Sequence, residues 1–254
     1  VGSSANCGAA VLALNAAVAE QLNIFREEVD ALMAQGETKE RALFTVIKRC
    51  LHDCRDIRFD GNGYSDEWQQ EAKKRGLDTE TSVPLMIDQY LKPESINMFG
   101  STGVLNHAEL LARSDVKWEH YSMKLQIESR VLGDLVINHV IPAAKRYQTV
   151  LLQNVLSVKQ VFSESEAAAL SEQDLLLIRR IENHASAIVA GVDTMNKERA
   201  RANHIDNQRE RAITFHDYVV PLMEDIRQHV DDLEMVIDDQ LWPLPKYREL
   251  LFIH

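Results

Sequence analysis

Two acidic side chains and a histidine share one predicted helix face near the end of the chain. Asp225, His229 and Asp232 follow one another at i, i+4 and i+7, and carboxylate and imidazole groups in this arrangement can coordinate a divalent metal. Residues 221–240 nevertheless carry seven acids and one base, and the sequence offers no evident ligand on another helix. We therefore interpret this segment as a solvated acidic face and predict no metal ligand in it.

A pair of cysteines is the second candidate for metal chemistry. Cys50 and Cys54 lie at i and i+4 of a predicted helix, with His52 between them on another face. A structural zinc site needs two further ligands, which the neighbouring sequence lacks, so we interpret both cysteines as small apolar core residues. Three cysteines cannot all pair within one chain and no leader peptide is evident, which favours a reducing, cytoplasmic location.

Catalytic motifs are scarce in this sequence. The first two glycines have neither the spacing nor the lysine of a phosphate-binding loop, and no acid is followed by histidine three residues later, as di-iron bundles require. Glu128, Arg130, Asp134 and His139 cluster on one predicted helix. We interpret them as a buried hydrogen-bond network or an interface rather than as catalytic groups. The residues alone predict no catalytic, cofactor-binding or metal-binding side chain.

Helices must position all of these groups. Apolar residues recur every three or four positions through residues 6–34, a second helix begins at Thr38, and short helices open at Ser65 and Ser82. Asn106 and Glu109 have the spacing of a helix-capping pair. A long helix beginning at Ser114 or Asp115 carries an apolar stripe over residues 118–162, with a mean period of roughly 3.67 residues per turn. Pro142 lies inside this helix and should kink it.

Two further long helices follow, which completes the fold prediction. We predict an all-α protein: a helical hairpin and short helices, then a long three-helix antiparallel bundle with a proline-containing C-terminal tail. Glycines and a proline interrupt the pattern before residue 103, so we place a domain boundary there, between residues 1–103 and 104–254.

Composition limits the classes of partner. The chain has 254 residues, 45% of them apolar, and a formal net charge of −11. An acidic chain is a poor match for nucleic acid or an anionic membrane, because both attract clustered lysine and arginine. Since no apolar run approaches the 18 or more residues that span a bilayer, we expect no membrane partner.

The end of the chain is apolar and stiffened by proline, so we expect it to dock onto another surface. Its apolar side chains are candidates for a structural or interface role: Trp242, Leu244, Tyr247, Leu250, Leu251 and Phe252.

Several segments resemble one protein family. The matching stretches are VGSSANCGAA at residues 1–10, DGNGYSDEW at 60–68, KLQIESRVLGD at 124–134 and LWPLPKYRELLF at 241–252. Together they are similar to the C-terminal part of type III glutamine synthetases, in the expected order and along the whole chain. The resemblance implies that the intact protein joins ammonia to glutamate in an ATP-dependent reaction, and so takes part in glutamine biosynthesis and nitrogen metabolism.

The same resemblance implies that the active site lies outside this chain. In the family, ATP and magnesium or manganese are held by residues of a catalytic β-sheet, and no position of that set falls within these residues. We therefore expect residues 1–103 to be the helical end of the catalytic domain and residues 104–254 a C-terminal bundle with a docked tail. Its expected partners are its own catalytic domain and neighbouring subunits of a homo-oligomeric ring. The alternative is a free-standing helical-bundle adaptor or scaffold.

Overall fold

Helices form nearly all of the regular structure. The computed structural model describes residues 7–251, and no strand occurs among them. The α-helices are α1 Gly8–Ala34, α2 Lys39–Asp53, α3 Asp66–Lys74, α4 Val83–Ile87, α5 Pro93–Ser101, α6 His107–Leu135, α7 Ile141–Val161, α8 Glu164–Asn203, α9 Gln208–Thr214, α10 Val220–Glu234 and α11 Tyr247–Leu250. The predicted all-α fold is confirmed.

The chain divides into two compact units, Val1–Lys117 and Trp118–His254. The division falls inside α6, which runs without a break through it. We expected a domain boundary near residue 103. A division into compact units does not test where a domain begins, so this boundary stays a prediction.

A helical hairpin opens the first unit, as the sequence predicts. Gly36 ends α1 with a φ of 96°, a left-handed conformation that costs glycine little because it has no Cβ. The hydroxyl of Thr38 then accepts a hydrogen bond from the backbone N–H of Arg41 and caps α2. Val29 of α1 packs against Ala42 and Val46 of α2, so apolar burial holds the hairpin together.

The other elements of the first unit pack on the N-terminal half of α1. Ala16 lies against Phe99 of α5 and Leu110 of α6 in one buried cluster. The hydroxyl of Ser101 donates to the Glu20 carboxylate at 2.6 Å, so a polar contact also joins α5 to α1.

The long helix α6 begins earlier than expected. The side chain of Asn106 accepts from the N–H of Glu109 at 2.9 Å, and the Glu109 carboxylate accepts from the N–H of Asn106 at 2.8 Å. This reciprocal capping box starts one continuous helix. The expected start at Ser114 or Asp115 was wrong, because Ser114 is fully buried in the helix interior.

The second unit is a three-helix bundle. Its long members are α6 with α7, then α8, then α9 with α10, and α8 packs against both α7 and α10. The core between them is built from aliphatic side chains on each helix, with Phe215 and Trp242 as its buried aromatic residues. The predicted bundle is confirmed.

Two π turns interrupt the long helices, each beside a proline. Val136–Val140 precedes Pro142, and Phe215–Val219 precedes Pro221. The ring of a proline clashes with the carbonyl of the residue four positions earlier, which a π turn relieves by widening the helix. The structure has a π turn before Pro142, and the kink expected at this proline stays a prediction. The second one, at Pro221, was not predicted.

Candidate functional site

Two histidines and an aspartate meet between α8 and α10 of the bundle. The Nδ1 atoms of His184 and His229 are 3.0 Å apart, and Nδ1 of His184 is 3.9 Å from Oδ2 of Asp232. All three side chains are half-buried, and one potential ligand atom from each lies within 4.8 Å of the others. Among residues 7–251, this is the group whose composition and spacing fit metal coordination.

The sequence analysis identified two residues of this cluster but not the third. His229 and Asp232 were recognised as neighbours on one helix face, but the conclusion that no other helix offers a partner was wrong, since α8 supplies His184. Asp225 is exposed one turn away and is not part of the group. A detectable signal was present, because His184 occurs between the apolar positions Ile181 and Ile188 on the face that turns toward the core.

The surroundings of His184 favour its neutral form. Burial lowers the pKa of this imidazole, and the nearby His229 and Arg180 lower it further, while the Asp232 carboxylate opposes them. A neutral imidazole has one nitrogen without a proton, which can accept a hydrogen bond or bind a metal. The two facing Nδ1 atoms require this state in at least one ring.

The cysteine pair has no comparable set of neighbours. The Sγ atoms of Cys50 and Cys54 are 3.9 Å apart, and both residues are half-buried rather than buried as expected. The hydrogen bond with Cys54 raises the pKa of the Cys50 thiol, and desolvation adds to it. His52 is exposed and faces Asp53 instead. The raised pKa makes Cys50 a poor candidate for a reactive thiolate.

The polar group on α6 and the turn after it is exposed. Glu128, Arg130, Asp134 and His139 are all accessible, and the side-chain amide of Asn138 donates to the Asp134 carboxylate at 2.6 Å. A buried hydrogen-bond network was one of the two interpretations, and it is wrong, because this face of the helix turns away from the core. An interface role for these four residues stays a prediction.

The C-terminal tail docks onto its own bundle. Trp242 is buried in the bundle core with Leu244 packed beside it, and the Lys246 ammonium group donates to the carbonyl of Glu234 at 2.9 Å. That carbonyl ends α10, where a cation is favourable. These contacts leave the first part of the tail unavailable to a partner.

The last part of the tail is arranged differently. Leu250 and Leu251 remain 70% and 61% exposed, so they are free to contact another surface. The side chain of Tyr247, and all of Phe252, lie outside the part of the chain that the structure describes. The interface role of all these residues stays a prediction.

An apolar stripe on α1 is not covered within the first unit. Leu14, Val18 and Leu22 are 66%, 59% and 60% exposed. By length and composition alone, α1 is also apolar enough to cross a membrane, contrary to the expectation that no segment is. The reason is that Glu20 is the one charged side chain among residues 8–25. Only 6% of that apolar window is buried, although Ala16 and Glu20 do contact residues of α5.

Comparison with known proteins gives a consistent result. Residues 42–159 match the family model of the glutamine synthetase C-terminal domain. The chain is 47% identical over 251 residues to a glutamine synthetase from Bacteroides fragilis (strain YCH46), covering 99% of this chain and 34% of that protein. It is 27% identical over 253 residues to the type-3 glutamine synthetase of Dictyostelium discoideum, covering all of this chain and 34% of that protein.

These matches define the class of the chain as a C-terminal region of the glutamine synthetase family. Within that family, the resemblance to the C-terminal part of a type III enzyme is confirmed. The chain spans about a third of the length of these two relatives: it covers 34% of each.

Proposed function

We propose that this chain is the helical, structural part of an enzyme that joins ammonia to glutamate with ATP. It does not catalyse the reaction itself: ATP and magnesium or manganese bind in the remainder of the intact protein. Its partners are that remainder and neighbouring subunits of a homo-oligomeric ring, and its location is the cytoplasm, without nucleic acid or membrane. The observation that carries the proposal is the uncovered apolar stripe on α1.

One apolar stripe runs along α1, and only half of it is covered by another helix. Residues 18, 22, 25 and 29 lie on the same face of the helix, because steps of three and four residues bring side chains back to one side. In the second half of α1, α2 covers this face through Phe25 and Val29. In the first half the face continues through Leu14, Val18 and Leu22 without a cover.

The magnitude of this exposure argues for a further protein surface. Full burial of a leucine or valine contributes about 1.5–3 kcal/mol, so covering what remains exposed on these three residues contributes several kcal/mol (about 3–5). The relatives are about three times as long as this chain, since it covers 34% of them. The remainder of such a protein supplies the surface that α1 lacks. Relatedness over 99% of the chain also favours this role over a free-standing adaptor.

The test introduces a charge into the stripe of the full-length protein. Val18→Glu should destabilise the contact, because a carboxylate is costly to bury without a partner. Ala19→Glu is the matched control: the same charge on the next residue, which is also exposed but lies about 100° round the helix. We expect Val18→Glu, but not Ala19→Glu, to lower both the thermal transition and glutamine formation from ATP, glutamate, ammonia and magnesium.

Equal behaviour of the two variants would contradict a cover on this face. Binding of full-length protein to lipid vesicles, lost in Val18→Glu alone, would instead assign the stripe to a membrane. The isolated chain should form no glutamine under the same conditions, and turnover above background would place an active site within it.

The oligomer contact is tested at the exposed end of the tail. Removal of all residues from 241 onward would also remove the buried Trp242, so a loss of assembly would have two explanations. The double variant Leu250→Asp, Leu251→Asp leaves the core intact, since both side chains are exposed. We expect light scattering to give a smaller assembly for this variant, and an unchanged mass would exclude this end of the tail from the interface.

A further inference from the structure

We propose that His184, His229 and Asp232 form a binding site for one divalent transition metal, with zinc the best match. The site joins α8 to α10 inside the second unit. It is independent of the proposed ligase activity, because its ligands all belong to the helical bundle. Nothing in the family relationship assigns a metal to these residues.

The distances are close to what a tetrahedral metal requires. Zinc binds imidazole nitrogen and carboxylate oxygen at about 2.0–2.2 Å, so two ligands of a tetrahedral site lie roughly 3.3 Å apart. The two Nδ1 atoms are 3.0 Å apart, and Nδ1 of His184 lies 3.9 Å from Oδ2 of Asp232. The third pair of ligand atoms, on His229 and Asp232, lies within 4.8 Å. The Asp232 carboxylate must therefore move toward the two histidines by more than half an ångström when a metal binds. Water completes the fourth position.

The bundle core holds the two histidines in place. Ile181 and Ile188 lie about one turn to either side of His184, and both are fully buried. On α10, Ile226 and Leu233 flank His229 in the same way and are also fully buried. Ligands supplied by helices that are packed this closely are positioned before a metal arrives, which lowers the cost of binding.

The spacing on α10 gives two ligands from a single helix. His229 and Asp232 are three residues apart, so both side chains project from adjacent positions of one face. The side chain of Asp232 is more accessible than that of His184, at 44% against 18% of its surface. This opening gives a metal a path into the site and leaves room for the water ligand.

The ligand types select the metal. Imidazole suits zinc, copper, iron and nickel, whereas magnesium and calcium prefer sites made of oxygen atoms only. Charges nearby act in both directions: Arg180 opposes a cation, whereas the acids of α10 attract one.

The experiment counts metal on the full-length protein after removal of bound ions with a chelator. Zinc alone and cobalt alone are the probes, with bound zinc measured after equilibrium dialysis and cobalt by its visible absorption. Because other parts of the protein can bind metals, the informative quantity is the difference between variants. We expect His184→Ala and His229→Ala each to lose one equivalent of zinc per chain, together with the cobalt band of a tetrahedral site.

Two matched controls test the boundary of the site. Asp225→Asn removes the same charge as Asp232→Asn from the same helix, and His120→Ala removes an exposed histidine from α6. Both controls should keep the full equivalent of zinc. Asp232→Asn, which removes a ligand, should weaken zinc binding by at least the roughly 10- to 100-fold that follows loss of a group supporting a ligand. Zinc should also raise the thermal transition of the wild type but not of His184→Ala.

The outcomes separate a metal site from a hydrogen-bonded histidine pair. Equal zinc stoichiometry in the wild type, His184→Ala and His229→Ala would overturn the proposal. So would equal zinc affinity in Asp232→Asn and Asp225→Asn, which tests the site even if a histidine variant does not fold. Glutamine formation is not part of this readout, so failure here leaves the proposed function untouched.

Discussion

Replacement of glycine by alanine is expected to have opposite effects at two positions of the bundle. An added Cβ at Gly133 of α6 would meet Met195 and Val192 at 3.7 Å, an ordinary contact. At Gly191 of α8 it would come within 2.9 Å of Cγ1 of Ile226, which is too close unless that side chain moves. We therefore expect Gly133→Ala to stabilise the bundle and Gly191→Ala to destabilise it.

The magnitudes follow from two separate effects. Alanine is favoured over glycine in a helix interior by about 0.8–1.0 kcal/mol, and this gain is common to both positions. Overpacking a well-filled core costs about 1–3 kcal/mol, and this cost applies at Gly191 alone. The free energies of unfolding of the two variants should therefore differ by about 1–3 kcal/mol, with Gly133→Ala the more stable.

Equilibrium urea unfolding followed by circular dichroism measures this difference. A third variant, Gly191→Ala in an Ile226→Ala background, removes the atom that the new Cβ meets. Ile226→Ala alone should cost about 2–5 kcal/mol, but in that background Gly191→Ala should become stabilising. If Gly191→Ala stabilises the wild type as much as Gly133→Ala does, the close approach of α8 to α10 is wrong.

Two further predictions concern the tail and the start of α8. The buried indole N–H of Trp242 has no hydrogen-bond partner within the described chain. Trp242→Phe should therefore leave thermal stability nearly unchanged, whereas Trp242→Ala should cost about 3–5 kcal/mol. Equal effects of the two variants would show that the indole ring does not contribute to core packing. The carboxylate of Glu166 accepts from the hydroxyl and backbone N–H of Ser163, which lowers its pKa. Its stabilising effect is therefore complete above the ordinary glutamate pKa and is lost as pH falls through the lowered value. Glu166→Gln should remove that acid-sensitive part of helicity, measured by circular dichroism against pH, and an unchanged profile would exclude the contact.

The helices themselves were largely predictable from the sequence. Apolar periodicity gave the three long helices of the bundle, and local capping chemistry gave the starts at Thr38 and Ser65, whose side chains accept from backbone N–H groups as expected. The capping signature of Asn106 and Glu109 is predictable from the sequence and is present in the structure, but the long helix was expected to begin only at Ser114 or Asp115. Ser114 has the residue type of a helix start, but its burial comes from packing, which sequence type alone does not reveal.

The candidate site was less predictable, for a physical reason. His229 and Asp232 are neighbours along one helix, and helical geometry alone brings them together. His184 precedes His229 by 45 residues. It lies next to His229 and Asp232 because α8 and α10 pack side by side, each rotated about its axis so that these side chains face one another. Periodicity identifies the face of a helix that is buried, but it does not determine which residues of two buried faces meet.

The π turn before Pro142 has a consequence for how these helices vary among relatives. A π turn holds about one residue more than an ordinary α-helical turn of 3.6 residues. The wide turn at Val136–Val140 holds one such extra residue, and Ala144 and Leu151 after it lie in the buried core of the bundle. A relative that has one residue fewer at this point and lacks the proline should therefore have an unbroken α-helix there, with the same downstream faces buried.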